Sequence, residues 1–149
     1  FATIPKAKKI FVEVKCGPEI IPFLIKEIKK ANLETDQVLL ICFNPKVIKT
    51  FKEKMPSYKA YWLSGFKKKS GSWKPSVDQV ITTLKSCQAD GLDSQYTIPP
   101  EFSKSVINAG FEWHAWTIND ARTAQRLAKR GIDSITTDRP KLIGLGFRR

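Results

Sequence analysis

Glu13 and Lys15 stand two residues apart in the stretch Ile10-Phe11-Val12-Glu13-Val14-Lys15-Cys16-Gly17. At that spacing an acid and a base share one face of an extended chain, because strand side chains alternate. Such a pair near a strand's C-terminal end could grip a charged ligand. It could also be a plain ion pair at a solvated strand end, and the strand alone leaves both readings open.

The stretch reads as a buried β-strand rich in β-formers and closed by Gly17-Pro18. Alternation places Ile10, Val12, Val14 and Cys16 on one face and Phe11, Glu13 and Lys15 on the other. Pro18 and Glu19 then suit the first turn of a helix reaching about Ala31, with Asn32 as its stop. Val38–Phe43 is a continuous apolar run, the pattern of a strand covered on both faces. Asn44-Pro45 gives an N-cap and a first-turn proline for a helix over Lys46–Lys54.

Ala60–Leu63 reads as a short strand and Ser64–Pro75 as a loop carrying Lys67-Lys68-Lys69 and Trp73. Ser76 and Gln79 match a capping box for a helix to about Cys87. Gly91–Gln95 is a polar strand, and Pro99-Pro100 opens a helix that Gly110 closes. Glu112–Thr117 is a strand, Asn119 an N-cap, Asp120–Arg130 a helix ended by Gly131, and Ile132–Thr137 the last strand. A short helix follows Asp138-Arg139-Pro140, and residues 146–149 read as a loose tail.

The 149 residues suit one domain with a sizeable core. Hydrophobic content of 42% and charged content of 27% are those of an ordinary globular chain, and no apolar run is long enough to span a bilayer. Phe1–Pro5 shows neither a starting Met nor a signal-peptide pattern, so a fragment or processed product is expected. Three cysteines without a C-x-x-C pair point to buried thiols and leave the compartment open. The net charge of +12 suggests anionic partners, but its lysines are spread over successive helices. A solvated basic surface, with no nucleic-acid partner, is the expectation.

Six strands alternating with helices imply an α/β fold with a parallel sheet and right-handed crossovers. A doubly wound sheet would usually show a glycine-rich phosphate loop after its first strand, and no G-x-G-x-x-G occurs. A (β/α) barrel places its chemistry at C-terminal strand ends, where Glu13, Lys15, Phe43, Asn44, Trp116 and Asp138 fall. The expectation is an incomplete TIM-type barrel: about six of eight βα units, the first two missing, forming one partial domain over residues 1–149.

Four segments in order resemble the glycerophosphodiester phosphodiesterase family, over its C-terminal three-quarters. Phe11-Val12-Glu13-Val14-Lys15 is similar to the family's E-I-K strand, and Phe43-Asn44-Pro45 to its S-F-n-p start. Trp116-Thr117-Ile118-Asn119 resembles W-T-V-N, and Gly131 to Pro140 resembles the G-v-d-g-i-i-T-D-r-P ending. The resemblance implies hydrolysis of a small-molecule glycerophosphodiester to glycerol 3-phosphate and an alcohol, with one divalent cation, calcium or magnesium. By position Glu13 would be a metal ligand, Lys15 would face phosphate oxygens, and Phe43 and Trp116 would line the substrate pocket. Gln95, near a strand end, could reach a glycerol hydroxyl. A hard cation wants carboxylate oxygen, and an ammonium beside it stabilises phosphoryl charge.

The family's H-R-G, E-x-D and H-D motifs supply two acid–base histidines and further metal ligands, and these are expected to be missing. The one histidine, His114, shares strand parity with Glu112 and Trp116 and reads as structural. One carboxylate is a poor divalent site, so the isolated chain is expected to bind metal weakly and to turn over little or nothing. Open sheet edges would be completed by a missing N-terminal segment, by another chain or by self-association. The alternative function is a non-catalytic anion-binding or assembly module on a degenerate barrel.

Overall fold

The computed structural model describes residues 1 and 3–144. The expected loose tail over residues 146–149 lies outside them. The chain forms two compact units, Phe1–Leu63 with Thr83–Asp90, and Ser64–Thr82 with Gly91–Arg149.

In the first unit, β1 (Ile10–Glu13), β2 (Val38–Cys42) and β3 (Lys59–Ser64, its last residue in the second unit) pair in parallel. α1 (Ile21–Lys30) follows β1, and α2 (Pro45–Lys54) follows β2. β2 is buried at four of five positions, as its apolar run predicts. β1 is not the buried strand expected. Among the described residues it pairs only with β2, and Phe11 and Glu13 remain exposed. The hydrophobic face of β1 is half-covered, so period-2 alternation survives while full burial does not.

The first turn after Gly17 is a 3₁₀ turn, Pro18–Ile20, rather than the start of α1. Glu19 Oε1 accepts from the Gly17 N–H at 2.9 Å, which caps that turn locally. Asn32 takes a left-handed φ of 49° after α1, the conformation expected of a stop. Asn44 caps α2 by accepting from the Lys46 N–H at 3.0 Å, with Pro45 in the first turn.

Two side chains tie this unit together. Gln37 Nε2 donates to the carbonyls of Pro5 and Lys6 at 3.1 Å and of Lys8 at 3.0 Å, holding the segment that leads into β1. Buried Lys52 donates to the carbonyls of Pro56 at 3.1 Å and Tyr58 at 2.9 Å, and pairs with Asp90 at 2.9 Å. Asp90 in turn accepts from the Ala60 N–H at 2.8 Å. A buried ammonium is tolerable here because each donor has an oxygen.

In the second unit, β4 (Lys67–Lys69) and β5 (Ser72–Lys74) form an antiparallel hairpin. The sequence predicts only a loop there, since three adjacent lysines carry no strand signal. α3 (Val77–Ser86) starts from the expected capping box: Ser76 N–H donates to Gln79 Oε1 at 2.8 Å and Gln79 N–H to Ser76 Oγ at 3.3 Å. Its last turn belongs to the first unit. β6 (Gly91–Gln95), α4 (Pro100–Asn108), β7 (Glu112–Trp116), α5 (Ala121–Ala128), β8 (Ser134–Ile135) and α6 (Pro140–Gly144) follow.

β6 pairs with β7 and β7 with β8, all in parallel. β8 keeps only two of the six expected residues. Gly110 and Gly131 close α4 and α5 at φ 86° and 83°, a region that β-carbon-bearing residues avoid. The N-cap of α5 is Asp120, not Asn119: its Oδ1 accepts from the Thr123 N–H at 2.7 Å. That bond and the Thr123 hydroxyl hold the Asp120 carboxyl below the usual carboxylate range.

Lys52→Met is expected to destabilise the protein by about 2 kcal/mol or more, because it strips the donor from three oxygens at once. Urea unfolding measures this, and an unchanged midpoint would contradict the assigned role.

Candidate functional site

The first unit holds an open cleft of ≈ 560 Å³ at the C-terminal ends of β1 and β2. Glu13, Lys15, Cys16, Cys42, Phe43 and Asn44 are among its lining. The parallel ladder builds it. Glu13 registers with Ile41, and the Val14 N–H donates to the Ile41 carbonyl at 2.9 Å, extending the pairing past β1. Cys42 Sγ then donates to the Val14 carbonyl at 3.0 Å, and the Trp62 indole donates to the Phe43 carbonyl at 2.9 Å.

Lys15 Nζ lies 3.5 Å from Glu13 Oε2, with side chains 80% and 36% exposed respectively. This is an ion pair in solvent, and at that exposure it contributes about 1 kcal/mol or less to stability. Both groups are therefore free of heavy desolvation and accessible to a solute. Phe43 is 53% exposed beside them, so it belongs to the cleft rim rather than to the core. Cys16 is exposed, against the expectation of three buried thiols, because β1 ends at Glu13 and leaves it outside the ladder. Burial pushes the thiols of Cys42 and Cys87 up.

The second unit carries Gln95 and Trp116 as register partners at the ends of β6 and β7. Gln95 Oε1 accepts from the Phe66 N–H at 3.1 Å, so one end of its amide holds the base of the β4–β5 hairpin. Trp116 is half-buried, and its carbonyl accepts from the Tyr96 N–H at 3.2 Å.

One turn of alternation earlier, Asp93, His114 and Ser134 are register partners across β6, β7 and β8. His114 is buried, with Nδ1 2.6 Å from Ser134 Oγ and Nε2 3.5 Å from Glu112 Oε2. Its Nδ1 is tied to the Ser134 hydroxyl, while Nε2 faces the Glu112 carboxylate without a hydrogen bond to it. Asp93, only 2% exposed, is a buried carboxyl that the strand's polar pattern alone does not single out. The signal was its parity with Gln95, two residues on in the same strand.

The two last resemblance segments meet as a clasp. Asn119 Nδ2 donates to Asp138 Oδ2 at 2.9 Å, and its Oδ1 accepts from the Asp138 N–H at 2.9 Å and from Thr137 Oγ1 at 3.1 Å. Asn119 and Asp138 thus fasten the turn after β8 to the turn after β7.

The profile of the glycerophosphoryl diester phosphodiesterase family matches residues 4–142. The chain belongs to that family. Among solved structures it is similar to an Oleispira antarctica phosphodiesterase in complex with the product sn-glycerol-3-phosphate, with 21% identity and a TM-score of 0.76. It also resembles glycerophosphodiester phosphodiesterases from Thermotoga maritima (19% identity, TM-score 0.72) and Parabacteroides distasonis (22%, 0.70). The three alignments cover 93%, 97% and 91% of this chain, but only 54%, 60% and 54% of those proteins. No curated protein matches in sequence. The fold class is the family's TIM-type α/β barrel, present here in incomplete form.

The divalent ion implied by the family does not fit the residues described. Among them no three His, Cys, Asp or Glu side chains converge to hold a metal, and Glu13 already faces the Lys15 ammonium. A literal E-x-D triplet does occur, Glu34-Thr35-Asp36, but it precedes β2 rather than following a strand. Asp36 there pairs with Lys9 at 3.6 Å.

Calcium or magnesium titrated into the 149-residue chain is expected to give no saturable heat below about millimolar concentration, since a lone carboxylate replaces too little of the hydration shell. A micromolar dissociation constant by calorimetry would contradict this.

Proposed function

We propose that this chain is the substrate-facing C-terminal part of a glycerophosphodiester phosphodiesterase, whose whole site hydrolyses a glycerophosphodiester to glycerol 3-phosphate and an alcohol. The family match over residues 4–142 carries this reading. The accessible Glu13–Lys15 pair at the strand ends supports it. So does the Oleispira antarctica relative, which holds the product sn-glycerol-3-phosphate.

In this reading Lys15 donates to the phosphate oxygens and stabilises charge that builds on them during hydrolysis. Glu13 orients Lys15, and in a completed site it would be one carboxylate ligand of the calcium or magnesium ion that the family resemblance implies. Phe43 gives an apolar wall against the glycerol or the leaving alcohol. Trp116 and Gln95 are the corresponding substrate-facing residues of the second unit. The acid–base histidines and the other metal ligands come from outside these residues, either from a further segment or from an associating chain. The exposed edge strand β1 offers a place for added strand pairing.

The second reading, a non-catalytic module that binds an anion or assembles with a partner, is favoured by one observation: Glu13 stands with an ammonium rather than with other carboxylates. Activity separates the two. Glycerophosphocholine with calcium or magnesium is expected to be left intact by the isolated chain. Supplying the histidine-bearing N-terminal part of a family member in trans is expected to give turnover. Lys15→Ala should then lower that turnover about a hundredfold. Turnover by the isolated chain, or restored turnover indifferent to both Glu13→Gln and Lys15→Ala, would overturn the proposal. Failure of any supplied N-terminal part to restore turnover, despite binding, would favour the non-catalytic module.

A further inference from the structure

The β4–β5 hairpin places like charges directly opposite one another. Lys67 registers with Lys74, Lys68 with Trp73 and Lys69 with Ser72, across a turn whose Ser70 and Gly71 both have positive φ, 49° and 81°. Such a turn fits the twist of a two-residue hairpin and fixes the register. The ribbon is therefore two-faced. Lys68 and Trp73 share one face, while Lys67, Lys69, Ser72 and Lys74 share the other.

The Trp73 face points inward. Its ring meets Phe102 of α4 edge-on at 6.4 Å, and Phe102 meets buried Phe66 at 5.7 Å. With the Phe66 N–H bonded to Gln95, the hairpin base is anchored in its own unit. The opposite face then carries three exposed ammonium groups. None of the ion pairs among the described residues involves them. Like charges directly opposite destabilise a two-stranded ribbon, and an external array of anions removes that repulsion.

We propose that the Lys67–Lys69–Lys74 face of this hairpin docks on the anionic phospholipid headgroups of a membrane surface. The ribbon face carries its three ammonium groups exposed and side by side, which suits an array of headgroups better than one small solute. It also lacks an aromatic platform, since Trp73 is turned to the other side. Binders of single-stranded nucleic acid present aromatic rings beside their basic groups for base stacking. The inference stands on the hairpin's own geometry and does not depend on the phosphodiesterase reading. Three lysines at a headgroup surface strengthen partitioning by roughly a hundredfold, with steep salt dependence.

The test is co-sedimentation of the whole chain with phosphatidylcholine vesicles, with and without phosphatidylserine. Binding is expected only with phosphatidylserine, and to weaken as salt is raised. The triple variant Lys67→Gln, Lys69→Gln, Lys74→Gln should bind those vesicles at least about tenfold more weakly. Its thermal midpoint should be unchanged or raised, because repulsion is relieved. A charge-matched control, Lys26→Gln, Lys29→Gln, Lys30→Gln on α1, should bind nearly as the parent does. Equal loss in both triples would show a net-charge effect and overturn the proposal. So would an absence of phosphatidylserine binding, or a hairpin variant that loses binding to an oligonucleotide but not to vesicles.

Discussion

The register of β1 on β2 is the constraint from which the candidate site follows. Parallel pairing sets Ile10 opposite Val38 and Glu13 opposite Ile41, so both strands end at the same level. A slip of one residue would turn Glu13 and Lys15 to the face now held by Val12 and Val14. That face leads to Val14, which is buried, so the slip would push two charges into apolar surroundings. Gln37 secures the register from the other end: its amide gathers three carbonyls ahead of β1 and its own carbonyl accepts from the Ile10 N–H at 2.7 Å. The thiol of Cys42 closes the ladder at the site end.

The same logic distributes polar side chains in the second unit. Asp93, His114 and Ser134 form one row across three parallel strands, while the alternate positions Ser94 and Trp113 bond to each other through the indole N–H at 3.0 Å. Arg130 lies over the Trp113 ring at 4.8 Å and donates to Ser103 Oγ at 2.8 Å, on the side where helices α4 and α5 contribute. Burial, and then the nearby Arg126 charge, lowers the Arg130 pKa from its ordinary value. Parity thus separates a polar sheet face from a packed one in this unit as well.

Much of this was legible from residue types. The strands over Val38–Cys42 and Gly91–Gln95, the caps at Asn44 and Ser76, and the stops at Gly110 and Gly131 follow from local chemistry that needs no distant partner. The features that escaped depend on tertiary surroundings. Three adjacent lysines have no strand propensity, and the β4–β5 ribbon exists because Trp73 finds Phe102. Asn119 and Asp120 are equally good caps by type, and Asn119 is diverted by Asp138, nineteen residues away. Exposure of β1 and Cys16 depends on what covers the sheet edge, which the strand's own residues do not encode. The Glu13–Lys15 pair was legible as a shared face, whereas its solvent exposure was not.

The central claim is that an accessible ammonium, steadied by a neighbouring carboxylate at the end of a parallel strand, receives the phosphate of a glycerol ester. Titrating sn-glycerol 3-phosphate into isotopically labelled protein and following backbone NMR shifts tests it most directly. The account predicts weak, saturable shifts concentrated at Glu13, Lys15, Phe43 and Asn44, with affinity reduced about fivefold in Lys15→Ala. Shifts confined to other basic segments, or an unchanged affinity in Lys15→Ala, would contradict it.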